Sequence, residues 1–159
     1  MNYRMGNKLI LALLLILFLS GCASTAQKEE AFSALVNTRL NKEIILQRSS
    51  TNSPGLIGFS VLNYATESVN FSDQGFGVTI YYYDESVLRW EKKELSPYPE
   101  PSPKTLLAKT TDFSHENISR ILEDDIVNVV PGEYRLYIEG VGDVTREKYG
   151  AFFDFVVRE

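Results

Sequence analysis

From Lys42 to the C-terminus, short β-favouring runs alternate with clusters of turn-forming residues, and this spacing restricts the chain to an all-β fold. Ile44-Ile45-Leu46 makes the first run, closed by Ser49-Ser50-Thr51-Asn52-Ser53-Pro54-Gly55. In Leu56 to Tyr64, Ile57, Phe59 and Val61 alternate with Gly58, Ser60 and Leu62, the period of a strand with one buried face. Further runs follow at Val69 to Phe71, Phe76 to Tyr83, Val87 to Leu95, Leu106 to Thr110, Ile126 to Val130, Glu133 to Glu139 and Ala151 to Arg158. About seven to nine short strands of this kind predict a β-sandwich or barrel. Ser114 to Glu123 permits a short helix on that frame, with Ser114 as its N-cap.

Two hairpins can be argued further. Between Phe76 and Leu95, the hydrophobic face favours Ile80 opposite Trp90 and Tyr82 opposite Leu88, with Asp84-Glu85-Ser86 as the loop. Trp90 is then a core residue. Tyr81 meets Arg89 on the other face, and Tyr81, Tyr83 and Arg89 form a candidate contact surface for a partner. In the last pair, Tyr134, Leu136 and Ile138 share one face, as do Phe153, Phe155 and Val157, and Gly140 to Gly150 joins them as a loop.

The run Val129-Val130-Pro131-Gly132-Glu133-Tyr134 resembles the start of the penultimate strand in immunoglobulin-like and fibronectin type III-like domains. The resemblance implies an immunoglobulin-like antiparallel β-sandwich with Tyr134 as the corner tyrosine, its hydroxyl bonding nearby backbone. The chain has one Cys, so the inter-sheet disulfide of antibody domains is absent. A weaker likeness to BsuPI-type proteinase inhibitor domains rests on Leu62-Asn63, the Thr66 to Phe71 stretch and Arg89-Trp90.

The N-terminus is of another kind. Leu9 to Leu19 is an unbroken apolar run preceded by Arg4 and Lys8. A membrane-spanning helix needs about 20 such residues, whereas a secretory signal needs about 7–15 behind a basic flank. Leu19-Ser20-Gly21-Cys22 resembles the lipobox of bacterial lipoproteins, which implies that residues 1–21 are removed and that Cys22 carries a diacylglycerol and a further acyl chain. Two or three chains give durable membrane anchoring where one gives only marginal binding. Met5 would serve as an initiator as well as Met1. Ala23 and Ser24 follow the Cys; the family's inner-membrane retention signal is an Asp there, so a Gram-negative cell would place the protein at its outer membrane.

Residues 22–40 read as lipidated Cys and tether, and 41–159 as the sandwich domain. Phe32, Leu35, Val36 and Leu40 at helical spacing allow either a short helix within Glu29 to Leu40 or a tether running into a first strand. Loss of residues 1–21 removes Arg4 and Lys8 and no acid, taking the formal charge from −5 to −7. That balance argues against nucleic acid as a partner and against membrane attraction through net charge.

The residues of catalysis are sparse. His115 is the sole His, and Gly58-Phe59-Ser60-Val61-Leu62 carries only one of the two glycines of a nucleophile elbow. No phosphate-binding glycine motif is present. Glu123-Asp124-Asp125 lacks the spacing of a calcium loop and reads as a solvated turn. Pro97, Pro99, Pro101 and Pro103 enforce an extended arm about 28 Å long over Ser96 to Lys104, at about 3.1 Å per residue. The expectation is a non-catalytic binding or assembly module with no cofactor or metal, lipid-anchored in a bacterial envelope, with a protein partner. The alternatives are a proteinase inhibitor and, further off, a carboxylate-based glycan-acting enzyme.

Overall fold

The computed structural model describes residues 25–49, 56–93, 102–117 and 131–158. The Leu9–Leu19 run, Cys22, the turn over 50–55, Pro97 to Pro101, Glu123-Asp124-Asp125 and the expected strand Ile126 to Val130 lie outside the described residues. The chain divides into two units, Met1–Val36 and Asn37–Glu159. In the first, residues 25–36 form a helix, α1. Asn37 follows with φ 48°, a left-handed conformation that ends helices and that Asn tolerates better than most residues.

The second unit is an all-β sandwich whose sheets are antiparallel apart from the pairing of its first, two-residue strand. Its strands are β1 (Arg39–Leu40), β2 (Ile44–Ser49), β3 (Leu56–Asn63), β4 (Val69–Phe71), β5 (Thr79–Asp84), β6 (Arg89–Lys93), β7 (Lys104–Leu106), β8 (Thr111–Asn117), β9 (Gly132–Gly142) and β10 (Lys148–Val157). The smaller sheet has the order β2-β3-β8. In the larger, β9 pairs along one edge with β10, which in turn holds the two-residue β1 in parallel. Along its other edge, β9 pairs first with β5 and then with β4. Beyond these, β6 pairs with β5 and β7 with β4, so the sheet forks.

The core lies between the sheets. Ile44, Leu46, Ile57, Phe59 and Val61 face it from the smaller sheet, as the alternation in β2 and β3 predicts. Ile80, Tyr134, Leu136, Ile138, Ala151 and Phe155 face it from the larger, with Phe153 and Val157 packed against them. The last hairpin keeps its expected faces, with Leu136 opposite Phe153 and Tyr134 opposite Phe155. Tyr134 stacks on Phe155 at 5.6 Å. The strands extend further than their apolar runs, so the loop read as Gly140 to Gly150 shrinks to residues 143–147.

The fork is made by residues 72–78. Asp73 Oδ1 accepts the backbone N–H of Gly75 at 2.8 Å and of Gly77 at 2.9 Å, folding the segment out of the β4–β5 line. Gly77 has φ +62°, a conformation that strains a side chain, and a Cβ there would lie 2.4 Å from Ser72 Oγ, so the Ser72 hydroxyl would have to move for any other residue. Phe76 turns inward with φ 67° and meets Phe71 at 5.0 Å and Phe59 at 6.3 Å. The Lys104 ammonium sits 4.0 Å over its ring and pairs with Asp112 at 2.7 Å.

Two elements differ from expectation. β7 ends at Leu106 instead of beginning there, and β8 occupies Thr111–Asn117, where a helix from Ser114 was expected. β8 pairs with β3 from Leu56 opposite Asn117 to Leu62 opposite Thr111. Its polar sequence gives little strand signal by itself; the ladder offered by β3 overrides local preference.

The β5–β6 register also differs. Tyr83 lies opposite Trp90, Tyr81 opposite Lys92 and Asp84 opposite Arg89, closed by the four-residue turn Glu85 to Leu88. The expected register rests on one apolar face. Here both faces of β5 are covered: Ile80 belongs to the core, while Tyr81 and Tyr83 are buried on the opposite side. With two apolar faces, hydrophobic pairing no longer discriminates between registers.

Candidate functional site

The predicted contact residues separate. Tyr81 and Tyr83 share the outer face of the larger sheet but are only 8% and 4% exposed. Tyr81 packs edge-on to Tyr137 at 6.2 Å, and Tyr83 against Trp90 at 5.1 Å. Trp90 is buried as expected, but on this outer face and not in the core between the sheets. Arg89 alternates to the opposite face of β6, where its guanidinium pairs with Glu91 at 2.8 Å and stays solvent-exposed. Tyr81, Tyr83 and Arg89 therefore do not make one surface. Cys22 lies outside the described residues, and His115 stands in β8 opposite Gly58.

At the centre of the outer face is a cation that the sequence reading missed. Arg135 is 1% exposed, with its guanidinium 4.3 Å from the Trp90 ring and 3.7 Å from that of Phe152. It donates through Nε and Nη2 to the Asp154 carboxylate, at 2.6 and 2.8 Å. Such a planar, bidentate and stacked arrangement is suited to Arg and not to Lys. Asp154 lies opposite Arg135 across the β9–β10 ladder.

Beside this layer, Thr38 Oγ1 and Tyr137 OH both donate to Glu139 Oε2 at 2.8 Å, and Lys148 pairs with Oε1 at 2.9 Å. Burial raises the Glu139 pKa, but the bonds from Lys148, Thr38 and Tyr137 outweigh it and hold the carboxyl below its usual range. Burial pushes the Tyr137 hydroxyl well above the ordinary phenol range. The cluster ties the first residues of the second unit to β9.

One end of the sandwich is organised by Glu67. Its Oε1 accepts from Thr145 Oγ1 at 2.5 Å and from Tyr149 OH at 2.8 Å. Its Oε2 accepts the N–H of Val144 at 2.6 Å and of Thr145 at 3.0 Å. These bonds, led by that of the Thr145 hydroxyl, outweigh burial and hold the carboxyl down at about 2. Four residues earlier, in β3, Asn63 is as buried as Arg135 and donates to the carbonyls of Glu67, Leu106 and Leu107 at 3.0 to 3.1 Å. Both residues act as clamps between loops.

At the other end is the β5–β6 turn. Asp84 Oδ1 accepts from Ser86 Oγ at 2.6 Å and from the Ser86 N–H at 2.8 Å, and these bonds lower its pKa. Val87 and Leu88 at the tip are more than half exposed. Leu88 has φ 53°, a conformation in which the Cβ of a bulky residue is strained. Among the described residues, no group of three or more His, Cys, Asp or Glu side chains is placed to hold a metal ion.

No family model matches the chain, and no curated protein matches it. Among solved structures, a crystal structure of a protein from Archaeoglobus fulgidus is similar at 14% identity, over 74% of this chain and 98% of that one, with a TM-score of 0.30. Superposition at that level carries no argument about function.

Proposed function

We propose that this protein is a lipid-anchored lipoprotein of a bacterial envelope. Its extracytoplasmic β-sandwich serves as a non-catalytic binding or assembly module for another envelope protein. The anchoring half rests on Leu19-Ser20-Gly21-Cys22 behind a short apolar run. The single observation that carries the binding half is Leu88. A leucine held at φ 53° on a protruding turn, beside an equally exposed Val87, costs the fold local strain and gives it little burial in return. A contact made by the exposed side chain accounts for both. Arg89, at the base of the same turn, adds an exposed guanidinium suited to an interface.

The contact surface thus moves from the face of β5 to the tip of the hairpin. A photo-crosslinking residue at Val87 in the anchored protein, activated in the native envelope, should capture a discrete partner. Capture should fall in a Leu88→Ser background. Crosslinking no greater than from a control residue at Phe113, exposed on β8, would discard this surface. If incubation of the protein with a panel of proteases inhibits one of them, the proteinase inhibitor reading takes precedence.

A further inference from the structure

Three loops meet at the end of the sandwich opposite the β5–β6 turn: residues 64–68, 107–110 and 143–147. Asn63 binds the carbonyl of Leu107, Lys109 Nζ donates to the carbonyl of Tyr64, and Glu67 holds Val144 and Thr145. The Asp143 N–H adds a bond to Ser68 O at 2.9 Å. Each loop nevertheless leaves an apolar side chain in solvent, with Tyr64 at 51%, Leu107 at 61% and Val144 at 79% exposure. The bonds run to backbone and to buried groups, so these side chains are presented on a fixed frame.

The chain joins the domain at this same end. Thr38 bonds Glu139, Arg39 pairs with Tyr149, and the Asn41 N–H donates to Gly150 O. The Tyr64 N–H donates to Glu43 O at 2.7 Å, just before β2 turns back down the sandwich. Between Cys22 and Asn37 lie fourteen residues, twelve of them helical, so their maximum reach is about 30 Å. Lys42, Lys109, Arg146 and Lys148 are exposed at this end, with Lys148 paired to Glu139 and with Glu43, Glu67, Asp143 and Glu147 close by, so cations and carboxylates are mixed here.

From this we infer that the end carrying Tyr64, Leu107 and Val144 rests on the lipid surface, with the three side chains in the headgroup layer and Lys109 and Arg146 against lipid phosphates. The inference builds on the lipid-anchor reading, because a short tether fixed at this end is what brings it to the bilayer. Aromatic and aliphatic side chains flanked by cations are the composition that favours an interface of this kind. The partner-binding turn at Val87 then points away from the membrane.

The test uses two reporters in the full chain, Tyr64→Trp and Val87→Trp, each reconstituted in vesicles of phosphatidylethanolamine and phosphatidylglycerol containing brominated phosphatidylcholine. Trp90, the sole native Trp, is buried and supplies a common background. Quenching of the Tyr64→Trp protein at least about twofold above that of the Val87→Trp protein is expected for a side chain in the headgroup layer. Equal quenching of the two, or none above wild type, overturns the inference. A second arm replaces the anchor: the same reporters carry Cys22→Ser and an N-terminal histidine tag bound to nickel-chelating lipid. Selective quenching there supports the membrane-facing end even if native Cys22 proves unlipidated, whereas fatty-acid labelling of Cys22 reports on the anchor alone.

Discussion

Glu67 and Thr145 stand 78 positions apart, yet their side chains meet at 2.5 Å and join the β3–β4 connection to the turn between β9 and β10. Because the bond is to a carboxylate, its contribution to stability depends on pH. The folded carboxyl titrates at about 2 against an ordinary 4.5, so its stabilisation is complete above about 4.5 and is lost as pH falls from there toward 2. Glu67→Gln should lower the urea midpoint at neutral pH, and the gap from wild type should narrow below pH 4. A constant gap between pH 7 and pH 3 would show that the charge is not what matters.

The turn at Leu88 makes the opposite prediction. Leu88→Gly removes the Cβ from a left-handed residue and should stabilise the fold by about 0.5–1 kcal/mol, after the greater entropy of unfolded glycine is counted. The same variant should lose partner capture through the Val87 crosslinker. A gain in stability with undiminished capture would separate the strain from the binding.

Asn63 is buried and shares its two amide hydrogens among the carbonyls of Glu67, Leu106 and Leu107 while its Oδ1 accepts the Ala65 N–H. Asn63→Ala strands those groups and should cost about 2–3 kcal/mol in denaturant unfolding. A loss under about 0.5 kcal/mol would mean that the loops find other partners.

Cys22→Ser tests the anchor directly. The substituted protein should take up no labelled fatty acid and should leave the membrane fraction. Retained labelling would refute lipidation at this residue.

Fold class was legible because β3, β9 and β10 carry regular alternation over long stretches and bury one common face between the sheets. The hairpin register was not, since Tyr81, Tyr83 and Trp90 are as apolar as Ile80 and face the other way. β8 was illegible for a different reason. Thr111 to Asn117 has almost no apolar content, and only its pairing with β3 makes it a strand. The clamps at Glu67 and Arg135 depend on partners 78 and 19 positions away, beyond what local pattern can reveal. Of the run Val129 to Tyr134 that resembles an immunoglobulin-like corner, the positions before Pro131 lie outside the described residues.

The chain joins the sandwich at one end, and the Val87 turn protrudes from the other. If the first is fixed and a partner draws on the second, the load runs parallel to the strands. The six register pairs from Ile44 opposite Asn63 to Ser49 opposite Gly58 would then be strained together in shear, not opened one at a time. The same holds for the pairs of β5 with β9 between Thr79 and Tyr82. Such a domain would be mechanically stiff along the axis from anchor to partner, as a spacer held under tension needs to be.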